Sequence, residues 1–283
     1  MKALSARWGM VVLGVGALSQ ASCGWLAGGA LVAAAVSCPE LLREGVDPLT
    51  VEYTSKQELN GKIAAFVAAS ADLLDVAIQA EEQTRDACRA IGRDLGLSKE
   101  QMAPADGVSG ATAGACGAVA KKMRKILARG LQIQVSVEAP QCQLNAELEA
   151  SCKGHCAATS GEQSAQCSAT CKARAELRAS CSPPRVSVQG TGTDEEAARL
   201  VASLQAHLPT LVAVQLDLVP RVVRNVDAIA SFGASLPTVV EEAGDKAASC
   251  VGAGITVTTV AASSMAVVVD ANVSVTSQVG VAK

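Results

Sequence analysis

Six cysteines between Cys142 and Cys181 are the residues best placed to do chemistry, because their spacing, Cys-x9-Cys-x3-Cys-x10-Cys-x3-Cys-x9-Cys, reads the same in both directions. The position numbers of Cys142 and Cys181, of Cys152 and Cys171, and of Cys156 and Cys167 therefore share one sum. A constant sum is what two antiparallel segments produce. It predicts nested disulfides Cys142–Cys181, Cys152–Cys171 and Cys156–Cys167 about a turn near Gly161. The competing chemistry is a zinc ion held by Cys152, His155, Cys156, Cys167 and Cys171. Zinc sites are typically built on closely spaced cysteine knuckles in reducing compartments, whereas thiols in an oxidising compartment pair. Oxidation is the favoured reading, with no metal, no cofactor and His155 as a solvated turn residue.

Two antiparallel arms must position these sulfurs. In the first, Cys142, Leu144, Ala146, Leu148, Ala150 and Cys152 alternate with polar residues; in the second, Cys171, Ala173, Ala175, Leu177, Ala179 and Cys181 do the same. Period two is the strand signature and predicts a β-ribbon. Beyond the cysteines, Val135 and Val137 would face Val188 and Val186, with Pro140 and Pro183-Pro184 marking a matched kink. A helical reading competes. The arms are rich in Ala, Glu, Lys and Arg, which favour helix, and Cys152 and Cys156 would share a helix face at i, i+4. The twin Cys-x9-Cys segments also resemble the coiled-coil-helix hairpins of small oxidised mitochondrial proteins. Strand-like flanks, Gln132 to Glu138 and Arg185 to Gln189, weigh toward the ribbon. The pairing is the same in both.

The remaining cysteines are Cys23, Cys38, Cys88, Cys116 and Cys250. Cys88 and Cys116 lie on helices joined by one loop and would pair, leaving Cys38 with Cys250. Before Glu40 the only charges are Lys2 and Arg7, followed by an apolar stretch from Trp8 to Val36, which reads as an export leader over residues 1–37. Cleavage at 22 would free Cys23 for lipidation, and the run Ala34-Ala35-Val36-Ser37 offers Cys38 as the other lipid acceptor. Simple secretion after Ala21 and an uncleaved anchor are the remaining outcomes. Parity favours Cys23, since ten cysteines are then left to pair.

Apolar residues at steps of four and three from Leu59 through Ile63, Phe66, Leu73 and Ile91 to Leu95 predict one long helix, started by Thr54 or Ser55 and stopped near Gly96. A second helix runs through Cys116, Val119, Met123 and Ile126 to Gly130. A third starts at Thr193-Asp194-Glu195-Glu196 and continues to Ala243, kinked at Pro209, Pro220 and Pro237, with Gln215 and Asn225 as register-setting polar positions on its seam. Residues 247–269 carry no charge, and alternating valines from Val267 to Val275 read as a strand.

The expected fold is therefore α+β: a three-helix bundle of long helices over 56–129 and 194–247, a disulfide-laddered antiparallel β-ribbon (131–190) inserted between helices 2 and 3, and a C-terminal strand-like segment (251–283). At 283 residues, 49% hydrophobic and 2% aromatic, the chain buries a core of small aliphatic side chains. Its net charge of −3 argues against nucleic acid as a partner. Hydrolase, zinc-protease, phosphate-loop and dinucleotide motifs are missing, and His155 and His207 are the sole imidazoles, so no enzyme is expected.

The Cys38-Pro39 pair, the helices carrying Cys88 and Cys116, the Cys-rich segment after Pro140 and Cys181-Ser182-Pro183-Pro184 together resemble exported or lipid-anchored Cys-rich proteins of large-genome soil bacteria of myxobacterial type. That resemblance implies an envelope location and no particular activity. The expectation is a non-catalytic cell-envelope or secreted protein, held to the membrane by lipid and presenting a rigid stapled module to a protein or envelope partner. The alternative is a membrane-active helical bundle that releases residues 247–269 into a bilayer.

Overall fold

A computed structural model of the chain describes residues 23–43, 45–103, 110–156, 162–191, 194–236 and 240–281. Residues 1–22, where the expected leader falls, and the expected turn at Gly161 and kink at Pro237 lie outside these described residues. The fold is mostly helical, with a small antiparallel β part in two two-stranded sheets.

Helix α2 (Gln57–Asp94) runs through the middle of the molecule. Its seam residues Ile63, Phe66, Ser70, Leu73, Ala77, Ala80, Thr84, Ala87, Ile91 and Leu95 are all buried. Ala64, Ala65, Val67, Ala68 and Ala69 are buried as well, so residues 61–70 are enclosed on every side. A helix that is apolar all round is a central helix. Thr54 and Ser55 do not cap it. Lys56 occupies the cap position without a side-chain bond, and Asn60 instead accepts from the backbone N–H of Tyr53 and Thr54 at 2.6 and 3.2 Å. At the other end Gly96, with φ +76°, terminates the helix, and the N–H of Leu97 bonds the Gly92 carbonyl.

Around α2 pack α3 (Gly110–Leu127), α6 (Glu195–Ala213), α7 (Val219–Ser235) and α8 (Asp245–Thr276), and α1 (Cys23–Ser37) packs on α8. Asp194 caps α6 by accepting from Ala197 N at 2.7 Å. Between α6 and α7 lies a π-helical turn, Val214–Leu218, followed at once by Pro220. Proline has no N–H to give the preceding turn, and the widened turn accommodates that loss without ending the helix.

The expected C-terminal strand is instead α8. Its buried residues Ala247, Cys250, Gly254, Val257, Ala261, Met265, Val268, Asn272 and Val275 recur every three or four positions, a helical stripe that lies largely against α2. Outward-facing hydroxyls of Thr256, Thr259 and Ser263 donate to carbonyls four residues back, so a Ser/Thr-rich sequence is satisfied within the helix. Close packing also explains the scarcity of aromatics. Phe66 meets Phe232 edge-on at 6.3 Å, and a Cβ on Gly233 or Gly254 would come within 2.6 Å of the Phe66 ring.

The segment between α3 and α6 is only partly a ribbon. Strand β1 (Gln132–Glu138) pairs with β4 (Arg185–Thr191), with Val135 opposite Val188 and Val137 opposite Val186. After a break at Pro140 and Pro183-Pro184, β2 (Cys142–Gln143) pairs with β3 (Ser180–Cys181). Beyond that the expected ladder is overturned: both arms are helices, α4 (Ala146–Cys156) and α5 (Glu162–Leu177). Thr170 and Arg174, which a strand of this register would turn to solvent, are buried along with Cys167 and Cys171 at helical spacing. Nested pairing demands only antiparallel arms, and two helices meet that demand as well as two strands do.

Candidate functional site

The cysteine-rich hairpin is the most chemically distinctive part of the molecule. Cys142 and Cys181 are bonded across β2 and β3, Cys152 to Cys171, and Cys156 to Cys167 across α4 and α5. Each helix offers its two cysteines at i, i+4, so two bridges stack along one interface, with Cys156 Sγ and Cys171 Sγ 3.6 Å apart. All four of these cysteines are buried, and they belong to the same core as α2, α7 and α8. With their sulfurs bonded in pairs they offer no thiolate ligands to zinc, and His155 is exposed beside them.

Gly61 lets α4 approach the central helix. A Cβ there would lie 2.1 Å from the His155 carbonyl oxygen. On the other side α5 is held by charge. Arg174 Nε donates to Asp72 Oδ2 at 2.8 Å and its Nη2 to Asp47 at 3.0 Å, while Arg178 donates to the second oxygen of Asp72 at 2.7 Å and to Asp75 at 3.0 Å. Arg174 and Asp72 are buried. Burial pushes the Asp75 carboxyl above its ordinary range, a rise that Arg178 opposes and Asp72 reinforces.

At the base of the hairpin the π-helical turn contributes Asp217, which accepts from Arg221 Nε at 2.6 Å and Nη2 at 2.7 Å. Arg221 also donates to the Leu177 carbonyl at 3.2 Å and toward Cys181 Sγ at 2.7 Å. Asn225 donates to Glu176 of α5 at 3.1 Å, so this seam residue links two helices. Gln215 is half-buried, and its Oε1 has no hydrogen-bond partner among the described residues.

The other two bridges tie the helical body together. Cys88–Cys116 joins α2 to α3, and Cys38–Cys250 joins the turn after α1 to α8. The second corrects one lipidation candidate: the Cys38 sulfur is engaged with Cys250 and fully buried, so it has no valence left for a thioether. Cys23 is the first residue of α1. Residues 24–37 belong to helix α1, which packs on α8.

His207 Nε2 lies 3.2 Å from Asp94 Oδ2, which also accepts from the Ser203 hydroxyl at 2.8 Å. These are the residue types of a serine hydrolase in the wrong order. The hydroxyl bonds the carboxylate directly instead of the imidazole, so no base is poised to take its proton. His155 and His207 each border an open surface groove rather than an enclosed cavity.

Sequence reasoning missed Asp72, Asp75, Arg174, Arg178, Asp217 and Arg221. A signal existed for Asp72, the one charge between Ile63 and Leu74. A carboxylate inside such an apolar run needs a cationic partner from elsewhere. Comparison with protein-family models, with curated proteins and with solved structures finds no match.

Proposed function

We propose that the chain is a non-catalytic exported protein of the cell envelope, lipid-anchored through Cys23, that presents the α4–α5 hairpin as a rigid binding or structural module. The observation that carries this reading is the sulfur inventory. All ten cysteines after Cys23 form five bridges, an arrangement consistent with an oxidising environment. Rigidity supports it too: two buried bridges, the Asp72–Arg174 pair and the close approach at Gly61 leave the hairpin little freedom relative to α2. Mass spectrometry of the mature protein from its native host tests the reading. The expected result is a lipid-modified N-terminus at Cys23 and the five bridges; free thiols, or a metal on the hairpin cysteines, would overturn it.

A second reading has an observation of its own. Three helical stretches, Gln57–Asp94, Glu195–Ser235 and Asp245–Val279, are long and apolar enough to cross a membrane by length and composition. The outer side of α8 shows Ile255, Thr259 and Ser263 to solvent, with no charge over residues 247–269. Insertion of this helix into a bilayer would require leaving its contact with α2. Dye release from lipid vesicles that is abolished by Ile255→Asp would favour this reading; intact vesicles favour the first.

A further inference from the structure

Four of the five bridges are sealed. Cys38, Cys88, Cys116, Cys152, Cys156, Cys167, Cys171 and Cys250 are each no more than 2% exposed. The fifth differs, with Cys142 exposed and Cys181 half-buried. It also has charged groups against its sulfurs: Arg221 Nη2 stands 2.7 Å from Cys181 Sγ, and Asp217 Oδ1 lies 3.0 Å from that sulfur and 3.6 Å from Cys142 Sγ. A disulfide sulfur is a weak acceptor and gains little from a guanidinium. A thiolate in the same place gains a charge-assisted hydrogen bond from Arg221, which opposes its repulsion by the Asp217 carboxylate. Arg221 is buried and fixed by Asp217 and the Leu177 carbonyl, so it is already in position for the charge that opening the bridge would create.

We propose that Cys142–Cys181 is a thiol–disulfide exchange site, opened by a dithiol partner in the exported compartment that attacks Cys142 and releases Cys181 as a thiolate against Arg221. The partner's first thiol loses its proton to water, and its sulfur bonds Cys142 Sγ. The Cys142–Cys181 bond breaks with its electron pair on Cys181. The partner's second thiol also loses its proton to water, and its sulfur then bonds the partner's first sulfur as the bond from that sulfur to Cys142 breaks, freeing Cys142, which takes up a proton from water. The partner is oxidised to a disulfide and the bridge is reduced by two electrons. Opening unlinks β2 from β3 at the base of the hairpin, while the buried bridges keep α4 joined to α5.

The proposal rests on the exported, oxidised reading, and the two fail differently. A disulfide map of the untreated protein without Cys142–Cys181 would sink the oxidised reading. On the fully bridged protein, dithiothreitol treatment followed by alkylation and peptide mapping is expected to label Cys142 and Cys181 at least about tenfold faster than any other cysteine. Limiting glutathione should leave its adduct on Cys142. Arg221→Gln should slow opening about tenfold, and Arg221→Lys, which keeps a cation, by less. Circular dichroism establishes that each variant is folded. Earlier opening of another bridge, an adduct on Cys181, or an unchanged rate in folded Arg221→Gln would overturn the proposal. If Arg221→Gln does not fold, the order of opening and the adduct position in the native protein decide it.

Discussion

Asp72 faces two arginines from a buried position, and both of its oxygens are used, one by Arg174 and one by Arg178. Two charges withdrawn from water are not strongly stabilising as a pair, but removing one of them strands the other. Asp72→Ala is therefore expected to cost about 3 kcal/mol in denaturant unfolding, because Arg174 keeps only its contact with Asp47. The double variant Asp72→Leu with Arg174→Met should lose clearly less. Equal losses in the two would mean that the ion pair itself, and not the stranded charge, dominates. Arg174 also shows what spacing alone can hide. In a strand of this register it would point to solvent beside Ala173 and Ala175; in α5 it turns inward one helical turn after Thr170.

Elements are joined by ion pairs as well as by apolar seams. Glu196, in the first turn of α6, pairs with Lys122 of α3 and with Arg129 just beyond it. Hydrogen bonds from Lys122 and Arg129 hold its carboxyl below the usual glutamate range. A lowered folded-state value means that the folded chain keeps the ionised form longer as acid is added. The stabilisation is then complete above the unfolded value, about 4.3, and is lost as pH falls through the lowered folded one. Glu196→Gln should thus melt below the native protein at pH 7, with the gap closing on acidification below about pH 4. A gap that persists unchanged in strong acid would show that this charge is not responsible. At this scale period two in the sequence misleads for the arms of the hairpin and for α8, which are helices. In both, alternating Ala, Val or Leu with polar residues satisfies period two locally, and nothing local reveals which of them a neighbouring helix will cover.

The Cys38–Cys250 bridge spans a sequence separation of 212 residues and ties the start of the fold to α8, on the far side of the chain order. Closing so long a loop removes much freedom from the unfolded chain. Replacing both cysteines with Ser is expected to cost on the order of 4 kcal/mol in unfolding experiments under non-reducing conditions. A change below about 1 kcal/mol would place α1 and α8 together through packing alone. What this molecule owes to its sequence alone is what depends on covalent order and local chemistry. The mirrored cysteine spacing names the three pairs that the hairpin joins, the seam of α2 names residues that are buried, and Val135 and Val137 already identify Val188 and Val186 as their strand partners. Tertiary structure alone decided that the hairpin arms and the last segment are helices, and that Asp72, Arg174, Asp217 and Arg221 are brought together in their pairs beside the bridges. The reason is physical: antiparallel pairing is compatible with either secondary structure, and burial against α2, which no local window contains, selects the helix.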